Sequence, residues 1–137
     1  MQEVNINLIA VIVAACVNMA VGSAWYGPLF GKLWMKFSGK TEESMKGDKA
    51  NMPKVMGAMF VGAFVQAYVL AHVIRFAEVN TVLNGAITGF MLWLGFVAVT
   101  ILQDVLFDKK NQNLAVINSG YNLVALMING ALLAIWI

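Results

Sequence analysis

Charge is what this chain has least of. Only 12% of its 137 residues are charged, where soluble domains usually carry about a quarter. Apolar residues make up 61% and the mean hydropathy is +0.76. A water-soluble domain this short cannot bury so much apolar surface, because small domains leave a large share of their surface exposed. The single cysteine, Cys16, sits inside an apolar run, so neither a disulfide framework nor a cysteine-rich metal site is available. One histidine, His72, excludes a multi-histidine site within the chain. No nucleophile–base set, paired carboxylates or phosphate-cradling loop is present. No enzymatic activity, metal or cofactor is therefore expected. The net charge of +2 is too small, and too confined to loops, to imply a nucleic-acid partner.

Long apolar runs are what the chain does have. The hydrocarbon core of a bilayer is roughly 30 Å thick and takes about 20 helical residues to cross. Four stretches reach that length, about 4–26, 53–74, 81–107 and 114–137. An open sheet cannot satisfy its backbone in lipid, and the alternation of barrel strands is missing. The expected fold is all-α, a single transmembrane domain over 1–137 with four transmembrane helices in an integral membrane bundle. Pro53 suits a helix start, and Asn80 and Asn113 are the expected N-caps of the third and fourth helices. The first stretch lacks the basic start of a cleaved signal peptide and is too long for one. Trp25 and Tyr26 read instead as an interfacial anchor.

Lysine and arginine set the direction. Lys32, Lys36, Lys40, Lys46, Lys49 and Lys54 fall in or beside the first loop, Lys109 and Lys110 in the third, and only Arg75 on the other side. This places loops 27–52 and 108–113 in the cytoplasm and both termini outside, in the cell membrane. Within the first loop, Leu29, Phe30, Leu33, Trp34 and Phe37 form one face after Pro28, while Lys32, Lys36 and Lys40 recur every fourth residue. The pattern predicts a short amphipathic interfacial helix, about 28–39, closed by Gly39. Its lysines are expected to contact lipid headgroups, each gaining about 1 kcal/mol from an anionic leaflet. It serves either as an anchor that sets the tilt of the first span or as a lipid sensor or gate. Thr41 to Met52 is expected to be a mobile polar linker.

Uncharged polar side chains inside the spans line up at helical spacing. Ala14, Asn18 and Gly22 follow one another in the first span, Ala58, Gly62 and Gln66 in the second, and Asn118, Asn122 and Asn129 share a face of the fourth. Gly85, Gly89 and Trp93 are spaced alike in the third span and suggest close helix contact. Small residues let backbones approach, and amides bond between helices at roughly 0.6–2 kcal/mol each. Packing is one reading; a hydrated path or solute site lined by Asn18, Gln66, Asn122 and Asn129 is the other. Asp104 is the only carboxylate within a span, where charge is costly unless paired. It reads as an interfacial salt bridge to Lys109 or Lys110, or else as an ion- or proton-coupling group. His72, one turn from Tyr68, reads as a hydrogen-bonded interfacial histidine or a proton relay. Leu29-Phe30-Gly31-Lys32 echoes Leu106-Phe107-Asp108-Lys109, and aligning Gly57 with Gly120 brings Gln66 onto Asn129. Such matches suggest two parallel hairpins, one of the ways transporters are built.

Several strings are more specific. Gly22-Ser23-Ala24-Trp25-Tyr26-Gly27-Pro28-Leu29-Phe30-Gly31-Lys32-Leu33-Trp34, Trp93-Leu94-Gly95-Phe96-Val97-Ala98, Leu106-Phe107, Ile117-Asn118-Ser119-Gly120-Tyr121 and Gly130 to Trp136 occur in order. Together they resemble the bacterial and archaeal family catalogued as domain of unknown function seventeen-sixty-one, over nearly the whole chain. The resemblance implies a four-span integral membrane protein and carries over no activity and no catalytic or binding residue. Its motif residues are chiefly Trp25, Tyr26, Pro28, Phe30, Trp34, Asn118 and Tyr121. The function expected is a small transporter- or channel-like protein that takes a small solute or ion and works as a homo-oligomer, a dimer first. The alternative is a non-transporting scaffold that binds a partner or organises lipid.

Overall fold

The protein is described by a computed structural model over residues 4–39, 42–47, 51–108 and 111–136. Among the described residues seven α-helices form: α1 (Leu8–Ala24), α2 (Gly31–Ser38), α3 (Glu42–Gly47), α4 (Met52–Phe76), α5 (Val82–Leu92), α6 (Val99–Phe107) and α7 (Gln112–Trp136). A wide π-helical turn over Trp25–Leu29 extends α1, and another over Trp93–Ala98 joins α5 to α6. Four continuous helical runs result, Leu8–Leu29, Met52–Phe76, Val82–Phe107 and Gln112–Trp136, each long and apolar enough to cross a membrane. The described residues contain no strand. This is the all-α fold of a multi-pass membrane protein.

Local chemistry moves several boundaries from where periodicity puts them. Asn7 accepts the N–H groups of Ile9 and Ala10 on its side chain at 3.1 and 3.3 Å, so α1 starts at Leu8 and not at Val4. Thr81, in place of Asn80, caps α5 by accepting the Asn84 N–H at 3.2 Å. Asn111, in place of Asn113, accepts the Asn113 N–H at 2.9 Å, and α7 starts at Gln112. In each case the residue whose oxygen reaches N–H groups two or three positions on is the one that begins the helix. The first span runs past Tyr26 to Leu29 because the Phe30 N–H reaches back five residues to the Trp25 carbonyl at 2.8 Å. That wide turn takes up Pro28, which has no N–H to offer, inside the span. The loop helix therefore starts at Gly31 rather than Pro28. It ends before Gly39, whose φ of +73° suits a glycine C-cap. The stretch 41–52, expected as a linker, contains the short α3. Lys40, Lys49, Lys109 and Lys110 lie outside the described residues.

The helix α7 is the hub, packing against α5, α1 and α4 and touching α2 and α6. Between α1 and α4 the buried residues are mostly small, Ala10, Ala14, Ala67 and Ala71, with Val11, Leu70 and Ile74 filling the remainder. The closest approach is α5 to α7. A methyl on Gly85 would run into the Gly130 carbonyl, one on Gly89 into the Leu126 carbonyl, and one on Gly130 into the Gly85 carbonyl. Backbones this close gain dispersion and Cα–H···O contacts that larger residues would forfeit. The Ala58–Gly62–Gln66 stripe divides instead. Gly62 has nothing within 4 Å and every residue from Met52 to Met59 is exposed, so the half of α4 nearest α3 has no partner among the described residues.

Replacing Gly89 or Gly130 by leucine should therefore cost at least the roughly 1–3 kcal/mol typical of overpacking. Thermal unfolding in detergent should show a lowered midpoint for both. Gly95→Leu, where nothing lies within 4 Å, should leave it nearly unchanged. Equal effects at all three would contradict the α5–α7 seam.

Candidate functional site

Three of the four amides singled out by spacing meet. The Asn18 Nδ2 group donates to Gln66 Oε1 at 2.8 Å, and Asn129 Nδ2 donates to Asn18 Oδ1 at 3.1 Å. One amide chain thus ties α1, α4 and α7 together. Gln66 and Asn129, which the internal echo aligns, both bond the same residue. Asn18 and Asn129 are only 3% and 2% exposed, so the bond between them is buried, while the bond to the half-buried Gln66 is partly so. The fourth amide, Asn122, stays out of the chain and donates to the Asn118 carbonyl of its own helix at 3.0 Å.

The chain ends on an unpaired acceptor. Asn129 Oδ1 is buried and has no hydrogen-bond partner among the described residues. Exchanging O and N throughout the three amides preserves both bonds and still leaves the same end of Asn129 unpaired. A buried amide oxygen without a donor costs about 1–3 kcal/mol. Among the described residues it is the one fully buried side-chain polar atom left without a partner.

Beside the amides, an aromatic collar grips α7. The Trp25 indole N–H donates to the Ile117 carbonyl at 2.9 Å, and the Trp93 indole N–H to the Ser119 carbonyl at 2.9 Å. A helical carbonyl has a second lone pair, so it accepts an indole N–H without giving up its own helix bond. Both tryptophans open a π-helical turn with glycine at its third position, Trp25-Tyr26-Gly27 and Trp93-Leu94-Gly95. The Trp25 ring lies on Gly120 and 4.6 Å from the Phe30 ring centroid. The Tyr26 hydroxyl donates to Asn118 Oδ1 at 2.6 Å, and the Tyr121 hydroxyl to the Asn18 carbonyl at 3.2 Å. The two tyrosine rings are 5.6 Å apart, and Trp34 meets Tyr26 edge-on at 6.2 Å. Tyr121 thereby links the collar to the amide chain.

The remaining positions lie apart. Pro28 sits exposed in the first π-helical turn, and Lys32 and Lys36 are exposed on α2. Lys40 is outside the described residues. His72 Nδ1 is 2.9 Å from the Tyr68 carbonyl, and its ring meets Tyr68 edge-on at 4.5 Å. Asp104 is on α6, half-buried, and the two lysines expected beside it are outside the described residues. His72 and Asp104 stand near opposite ends of the bundle and share no site. Trp93 was missed as a ligand of α7, although the repeated Trp-x-Gly was a usable signal. Also missed was the row Phe64, Tyr68, His72 and Phe76, whose rings follow one another along α4 with centroids 4.5 to 6.3 Å apart. Their regular spacing of four was visible.

Trp25→Phe and Trp93→Phe keep the ring and remove the donor. Each should lower stability by about 1 kcal/mol, the usual worth of an interhelical hydrogen bond in a membrane protein. Unfolding of the purified variants in detergent measures this, and no change in either would mean that the indole bonds contribute nothing.

No curated protein and no solved structure matches the chain. One family model does match, over residues 9–134, a segment that holds every member of the amide chain and the collar. The chain belongs to that family, described as protein of unknown function (DUF1761).

Proposed function

We propose that this protein is a small homo-oligomeric transporter- or channel-like membrane protein whose amide chain, Asn18–Gln66–Asn129, recognises a small uncharged polar solute. The observation that carries this reading is the unpaired, buried Asn129 oxygen. Asn18 and Gln66 lie near the middle of their spans, and the bond to Asn18 brings Asn129 to the same level. Substrate sites of transporters commonly lie near that depth. Donors and acceptors without formal charge suit a neutral solute, since a bare ion would lack a counter-charge. The track continues through Tyr121, Tyr26 and Asn118 toward the end of the bundle that carries the basic loops. By the distribution of lysine that end faces the cytoplasm. Four helices enclose little space, and the exposed half of α4 leaves room for a second copy, so a symmetric dimer completes the path.

A second reading has its own observation. The amide bonds, one buried and one partly buried, hold three helices together as glue would, which favours a non-transporting scaffold or lipid-organising subunit. Neither reading involves catalysis.

Purified protein in liposomes should speed the efflux of glycerol or urea relative to protein-free vesicles, as followed by light scattering. Asn129→Leu should slow that efflux about tenfold, equivalent to roughly 1.4 kcal/mol on the barrier. Asn122→Leu, off the chain, should leave it unchanged. Vesicles with and without protein behaving alike would remove the transport reading and leave the scaffold. Sedimentation in detergent should find a dimer.

A further inference from the structure

The position of α2 follows from the pairing of α1 with α7. Gly22, Trp25 and Tyr26 sit opposite Tyr121, Ile117 and Asn118, so continuing the antiparallel register puts Leu29 level with about residue 114. The Phe37 carbonyl accepts a hydrogen bond from Asn111 Nδ2 at 3.3 Å, only a few residues further along. Had α2 carried on down the axis, its eight residues would have advanced about 12 Å, well over twice that distance. The helix therefore turns and runs across the end of the bundle.

It is braced there on one side and bare on the other. Trp34 meets Tyr26, Gly31 is buried against the Tyr26 carbonyl, and Asn111 holds the Phe37 carbonyl. On the bare side Lys32 and Lys36 are exposed one turn apart, beside Leu29 and Leu33 at 62% and 44% exposure. Residues 4–41 contain no aspartate or glutamate, so no carboxylate in this segment neutralises the two lysines, and Lys36 Nζ lies over the Phe37 ring, 5.7 Å from its centroid. A row of exposed leucine next to a row of exposed lysine, beginning at the last residue of a membrane span, meets acyl chains on one side and headgroups on the other.

We propose that the outer face of α2 is a docking site for anionic phospholipid, with Lys32 and Lys36 binding the headgroup phosphate and Leu29 and Leu33 the start of the acyl chains. The occupant is lipid rather than an acidic peptide because the leucines continue the apolar surface of the span they follow. Lysines one turn apart, about 6 Å between Cβ atoms, can share one phosphate. Through Trp34 and Tyr26 the bound headgroup also steadies Asn118 in the collar.

The test uses the full chain in neutral detergent, titrated with phosphatidylglycerol or phosphatidylcholine while thermal unfolding is followed. Phosphatidylglycerol should raise the midpoint, phosphatidylcholine should not, and high salt should abolish the difference. In K32Q/K36Q the apparent affinity for phosphatidylglycerol should fall roughly thirtyfold, whereas K32R/K36R and Lys54→Gln should keep it. Equal responses to the two lipids, a response indifferent to salt, or an undiminished response in the double glutamine variant would each overturn the proposal. So would displacement of the lipid by an acidic peptide at equal concentration. If K32Q/K36Q does not fold, lipid selectivity and salt dependence of the unaltered chain still decide the question.

Discussion

Hydrocarbon gives apolar side chains nothing to gain by leaving it for one another, so helices in a bilayer need some other reason to associate. Here that reason is concentrated on α7. Its backbone is met by the backbone of α5 at Gly85, Gly89 and Gly130, where no side chain stands between. Two indoles bond its carbonyls from the first and third spans. An amide ties it to α1 and through α1 to α4. Take away the exposed backbone and donors of α7, and the other three spans have few contacts with one another beyond the alanine-rich face of α1 and α4.

The same economy shapes the candidate site. Amides are strong glue in lipid because an unbonded one has no water to turn to. Three in series have an odd end, and in this fold the odd end is buried at Asn129. An apolar residue there would relieve the unpaired oxygen but would deprive Asn18 of a partner. The collar beside it, Tyr26, Tyr121 and Asn118, is uncharged as well. Polarity without charge is what a membrane interior tolerates at the lowest cost.

Much of this was legible in the residues themselves. Four apolar runs gave four spans, Gly39 marked the end of the loop helix, and Gly85 and Gly89 marked a close helix contact. The spacing of Asn18, Gln66 and Asn129 brought them to one place. What spacing does not reveal is which face of a helix looks inward. Ala58 and Gly62 share a row with Gln66 yet face outward, because α4 leaves the bundle below Ala63. Asn122 is on the polar face of α7 but turns to its own backbone. Boundaries failed for a local reason, since Asn7, Thr81 and Asn111 cap helices by geometry that neighbouring Asn80 and Asn113 do not reach. Pro28 was expected at the start of the loop helix, but the wide turn over Trp25–Leu29 takes it up at the end of the first span.

The two wide turns set a phase. Each accommodates one residue more than an α-helical turn, so the chain beyond it is rotated by about 100° from where an unbroken helix would point. In the third span, Thr100 and Asp104 therefore do not continue the azimuth of Gly85 and Gly89, whatever a uniform helical wheel suggests. The glycine half is keyed to α7, while α6 has no buried residue and presents a different set of side chains outward. Residue count, more than residue type, is what holds that offset. One position inserted or deleted in the second turn would swing the rest of the third span like a crank, even with every side chain kept.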